Sequence, residues 1–116
     1  MPIPSGSGTE VLKRYVQDAN SGGYDSLPAV GTDHIHTVLT IVIANTANAV
    51  CTIGIAVDTS GDNVDIINNN GGQTIPAYGT FVFSDKIVLH PADVLKIYTS
   101  QSSDLHVSYI DQDWTT

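Results

Sequence analysis

The sequence predicts an all-β chain: an antiparallel β-sandwich, jelly-roll-like, with about eight strands. No window carries a sustained helical period. The apolar runs are short, rich in Val, Ile and Thr, and alternate with a period of two. Clusters of Gly, Asn, Asp, Ser and Pro separate them at roughly 8–12-residue spacing. A length of 116 residues fits one domain, and 41% hydrophobic against 14% charged residues suits a packed core.

Residues 1–8 are rich in Pro, Gly and Ser and read as a mobile or extended arm. In 10–17, "EVLKRYVQ", Val11, Lys13, Tyr15 and Gln17 alternate against Leu12, Arg14 and Val16, which favours a strand. The expected organisation is therefore an N-terminal arm and first strand over 1–17 and a single sandwich domain over 18–116. Turn formers fill 18–34, a long loop with room for a short pairing segment. Two β-rich runs follow, 35–45 and 50–58, joined by about four turn-prone residues, and read as an antiparallel hairpin. "TSGD" (59–62) is the next turn and 63–67 the next strand. The loop 68–74 carries Gly71 and Gly72, which permit positive φ. Strands near 80–83, 86–89, 93–99 and 104–111 complete the set.

The run "VLTIVIA" (38–44) bears on function. Strict alternation puts Leu39, Ile41 and Ile43 on one face and Val38, Thr40, Val42 and Ala44 on the other, so both are largely apolar. An antiparallel sandwich strand ordinarily has one dry and one wet face. Either the 1–17 arm covers the second face or another subunit does. The expected docking residues are Val11, Leu12, Tyr15, Val38, Val42 and Ala44, and symmetric self-association is the default for such a surface.

Four basic and twelve acidic residues give a net charge of −8, which repels phosphate backbones and anionic membranes, so neither nucleic acid nor a membrane is an expected partner. The start lacks a basic and an apolar signal region, and no apolar run approaches the ~20 residues of a membrane span. A soluble chain made in a cytoplasm is expected. Cys51, the one cysteine, lies in an apolar run without basic neighbours and reads as a small buried hydrophobe.

Candidate chemistry is sparse. His34 and His36 stand two apart on one strand face, but a metal needs a third ligand from elsewhere, and the sequence places neither His90 nor His106 nearby. They are expected to face solvent, and no metal or other cofactor is expected. Asp58, Asp62 and Asp65 surround a glycine without EF-hand spacing and read as an ordinary hairpin turn. No Gly-x-Ser-x-Gly elbow is present, and all acids but one are Asp, mostly at turns. No enzyme is expected. Tyr24, Tyr78 and Trp114 lie in loops or near the terminus, where stacking platforms for sugars occur; the alternative is that they plug the sandwich end or anchor the tail.

"IPAYGTFVFSDKIVLHPADVLKIYTSQSSDLHVSYI" (75–110) resembles a pattern in small virion structural proteins of tailed bacteriophages: an "IPA-x-GT" turn, "KIVL", a Gly- or Asp-bearing turn, "DVLKIY" and a final strand ending in an aromatic. "TIVIANTANAVCTIGIAVD" is similar to the front half, and "PSGSGTEVLKR" to the start of proteins of cyanobacterial phages. At 90–93 Pro-Ala replaces the usual acidic-Gly turn. The resemblance implies a particle component without catalytic residues: a head decoration (cement) or tail accessory protein, located in the virion. It implies a homo-oligomer, a trimer most plausibly, docked on capsid or tail subunits. An acidic surface suits the outer shell. The alternative is a receptor- or glycan-binding tip domain of a phage fibre.

Overall fold

The β-forming segments build two antiparallel sheets that pack face to face in the computed structural model, which describes residues 9–19 and 23–114. The strands are β1 (Thr9–Ala19), β2 (Gly23–Ser26), β3 (His34–Asn45), β4 (Cys51–Thr59), β5 (Asp62–Ile67), β6 (Thr74–Ile75), β7 (Thr80–Phe83), β8 (Ile87–Leu89), β9 (Val94–Thr99) and β10 (Ser103–Asp113). One sheet has the order β1-β10-β3-β7, with β8 also on β3; the other has the order β2-β9-β4-β5, with β6 also on β4. The β-sandwich read from the sequence is the fold.

The hairpin expected from 35–45 and 50–58 does not form, because β3 and β4 lie in different sheets. The cause is Asn45, a buried polar residue at the end of β3. Its Nδ2 donates to the carbonyls of Ala49, Ile75 and Pro76 at 2.7, 3.3 and 3.1 Å, and its Oδ1 accepts from the Ala47 amide at 3.0 Å. With every polar atom of the amide engaged, the chain is carried across the sandwich instead of back along β3. The true hairpin is β4–β5. Its two-residue turn, Ser60 (φ 53) and Gly61 (φ 90), has the paired positive angles that match the twist of the flanking strands.

β1 is an eleven-residue edge strand paired along its length with β10. Thr9–Ala19 therefore extends the sheet in its own plane and does not lie over its outer face. The expected arm at 1–8 lies outside the described residues.

Inward-facing aliphatics from both sheets make the core: Ile41, Ile43, Leu105 and Val107 from the first, Ile53, Ile55, Leu95 and Ile97 from the second. Burying each such side chain contributes about 1.5–3 kcal/mol. Val38 belongs to this core and not to the outer flank expected for it. Ser108 pairs with Thr40 but Tyr109 with Val38, so Leu39 is the extra residue of a bulge and the alternation reverses there. Val38 is 1% exposed as a result. Tyr15 also turns inward and packs on the core. The strand with both faces buried is β4. Ile53, Ile55 and Val57 point in, while Gly54 and Ala56 are buried on the other side. The 68–73 loop crosses Gly54 so closely that a Cβ there would stand 2.7 Å from Asn69 Cβ.

Candidate functional site

Two features of the first sheet stand out, on opposite faces. At one end of its inner face, β3 and β10 bring His34, His36 and Asp111 together. The register pairs His36 with Asp111 and His34 with Asp113, and directly opposed residues in an antiparallel pair project to the same side. His34 Nδ1 lies 2.7 Å and His36 Nε2 3.3 Å from the same oxygen, Asp111 Oδ1. The second oxygen, Oδ2, accepts a hydrogen bond from Lys13 Nζ of β1 at 2.8 Å. His34 Nε2 lies 3.6 Å from Asp113 Oδ1. The Tyr109 ring packs on His36 with centroids 4.7 Å apart.

The electrostatics follow from this packing. Burial pushes the Asp111 carboxyl up, but hydrogen bonds from Lys13 and His34 and the pull of both imidazoles outweigh it, leaving it below the ordinary carboxylate range. Burial pushes His36 down; the attraction of Asp111 opposes this only in part, and His34 and Lys13 add to the lowering. The hydrogen bond to Asp111 and its charge push the Lys13 ammonium up. These histidines do not face solvent as expected, since their side chains are 26% and 16% exposed. Among the described residues, His34, His36 and Asp111 are the one group of three metal-capable side chains whose ligand atoms lie within 4.8 Å of one another. His90 and His106 are not in it. The third member was within reach of sequence reasoning: Asp111 shares the phase of Leu105, Val107 and Tyr109, and an acid on the apolar phase of a strand marks a polar cluster inside.

The outer face of the same sheet is apolar along its centre. Leu12 is 70% exposed, and Val16, Val82 and Val88 are each more than half exposed. Val42 and Ala44 stand half-buried between β1 and β7 and line, with Val16 and His106, a groove of about 440 Å³. The alternation on β1 and β10 gives this face Arg14 and His106 near its middle, with Glu10, Asp18 and Asp104 toward its ends. Of the six docking residues expected, Leu12, Val42 and Ala44 lie here. Val38 and Tyr15 are in the core, and Val11 shares the phase of Lys13 and Asp111, half-exposed at the sheet's end.

The remaining candidates are dispersed. Tyr24 packs edge-on against Tyr98 at 5.4 Å, and its hydroxyl accepts from Asn69. Tyr78 does not plug the sandwich end, being 68% exposed in a turn at φ 59 beside Ala47. Trp114 is half-buried and its amide donates to Asp33. Tyr78 and Trp114 thus flank opposite ends of β3, whose twelve residues span about 40 Å, too far apart for one platform. In the acidic hairpin Asp58 accepts from the Gly61 amide and pairs with Lys96, and Asp65 accepts from Asn68. Cys51 is fully buried. No protein-family model, curated protein or solved structure matches this chain.

Proposed function

We propose that this chain is a non-enzymatic structural component of a tailed-phage virion, a capsid decoration or tail accessory protein, which assembles with copies of itself through the outer face of the β1-β10-β3 sheet. The supporting observation is the exposed apolar stripe centred on Leu12, Val16 and Val42. In a chain of net charge −8, this stripe carries its acids only toward the ends, so two copies meet there with little like-charge repulsion. Three strands at ~4.8 Å and eleven residues at ~3.3 Å give roughly 500 Å², and the short β7 and β8 beyond β3 bring the face nearer the ~800 Å² per partner of a standard interface. The edge is a poorer contact, since β1 carries Lys13 on one face and Arg14 on the other, and cations along an edge discourage edge-to-edge pairing.

The strand order supports the jelly-roll reading. β1 pairs with β10, β2 with β9, β3 with β7 and β8, and β4 with β5 and β6, the nested pattern of two Greek keys. A trimer is the assembly the phage resemblance favours.

Light scattering on the purified chain tests the assembly. Wild type is an oligomer at micromolar concentration, and Leu12→Glu with Val42→Lys is a folded monomer. A monomeric wild type, whether its own N-terminal residues cover the stripe or water does, overturns the reading. Imaging of intact particles then tests the location.

A further inference from the structure

We propose that His34 Nδ1, His36 Nε2 and Asp111 Oδ1 form a binding site for a divalent transition-metal ion of borderline softness, Zn²⁺ being the type case. Two imidazole nitrogens and one carboxylate oxygen are the donor set such ions take, and two nitrogens disfavour Ca²⁺ and Mg²⁺. An ion at ~2.0–2.2 Å from each ligand needs its ligands roughly 3.0–3.5 Å apart. Asp111 Oδ1 already stands 2.7 Å from one nitrogen and 3.3 Å from the other, with all three atoms within 4.8 Å. The two imidazole nitrogens, up to 4.8 Å apart, must approach one another by roughly 1 Å as the ion enters.

The surroundings match a site as well. With the ion on Nδ1, Asp113 Oδ1 behind His34 Nε2 favours the tautomer with its proton on Nε2. Tyr109 against the His36 ring limits its rotation. The imidazoles, 26% and 16% exposed, leave a narrow approach from solvent, and water completes the coordination. In the ion-free site His34 Nδ1 donates its proton to Asp111 Oδ1, and as the ion takes Nδ1 the ring proton passes to Nε2. Lys13 opposes the ion by charge, but it binds the other carboxylate oxygen, and its side chain is 47% exposed and free to swing away. The opposition is itself testable: Lys13→Met removes a competing cation and tightens binding.

The experiment is titration of the metal-free chain with Zn²⁺ by calorimetry and with Co²⁺ by visible absorption. One equivalent per chain binds, and Co²⁺ acquires the intensified bands of a low-coordinate nitrogen–oxygen site. His34→Gln and His36→Gln each weaken binding by more than ~10-fold. His106→Gln, on the opposite face, leaves it unchanged. Circular dichroism confirms that the variants fold, and the wild-type Co²⁺ spectrum reports the ligands without any variant. Lack of saturable uptake, equal affinity in wild type and both histidine variants, or loss on replacing His106 overturns the proposal.

Discussion

Replacing Asp111 with Asn keeps the side chain's size and one carbonyl acceptor but removes the charge that three cationic or donor groups address. Asp111 is 5% exposed, so its contacts are little weakened by water. Its bond from His34 at 2.7 Å is charge-assisted and contributes about 1–1.5 kcal/mol. Its bond from Lys13 at 2.8 Å is discounted to about 0.5–1 kcal/mol, because Lys13 is half-exposed. The Asn amide adds an NH₂ that faces either Lys13, which can only donate, or an imidazole that must change tautomer to accept it. The expected cost is about 2 kcal/mol at neutral pH. Urea unfolding followed by circular dichroism, with a chelator present, measures it. The sign of the pH dependence is fixed by the lowered folded-state pKa. The stabilisation is complete above the ordinary value of 3.8 and is lost as pH falls through the lower folded value. Wild type and variant therefore converge in strong acid. A difference under ~0.5 kcal/mol at neutral pH, or one that does not shrink on acidification, refutes the reasoning.

Other outcomes follow from the same packing. His36 is lowered from 6.5, so its contribution is complete above that pH and lost as pH falls through its lower folded value; His36→Gln flattens this part of the stability profile measured by urea unfolding. Ile43→Ala, at a side chain with no exposure between the sheets, costs about 2–5 kcal/mol by thermal or urea melts. Ala92 holds φ 72 in the His90–Asp93 turn, so Ala92→Gly raises stability by about 1 kcal/mol.

The strands were legible because their signal is local: alternation and β-branched residues declare an extended segment wherever it pairs. Partnership is not local. The hairpin misreading of 35–45 and 50–58 came from adjacency in sequence, whereas Asn45, an uncharged polar residue at the end of an apolar run, held the instruction to cross over. Val38 was misplaced for a related reason. A bulge at Leu39 costs one residue of register, and nothing in "VLTIVIA" marks where the alternation breaks. Two of the three candidate metal ligands were visible as His34 and His36. Asp111 could be placed on the apolar phase of its strand but not beside the histidines, because that contact spans 77 positions of chain and exists only through the β10–β3 register. Val42 and Ala44 face outward as the alternation predicts, because their side-chain direction depends only on an unbroken pleat, and Leu12 lies on the same face.

β1 ties both surfaces together, and its place in the sheet has a measurable consequence. It has one neighbour, β10, so it is held by that ladder, by the inward packing of Tyr15 and Ala19, and by Lys13 on Asp111. Consecutive residues divide the work: Leu12 projects outward to the stripe and Lys13 inward to the polar cluster, as Ile110 and Asp111 do on β10. An edge strand held this way opens at lower free energy than the sandwich as a whole. Asp111→Asn should therefore speed hydrogen exchange at β1 amides bonded to β10 more than at amides between β4 and β9, which share no contact with Asp111. Every β4–β9 amide slowed or speeded in the same proportion would mean that Asp111 acts on global stability alone. Selective loosening of β1 would instead show that the inner cluster keeps Leu12 and Val16 in the plane of the outer stripe.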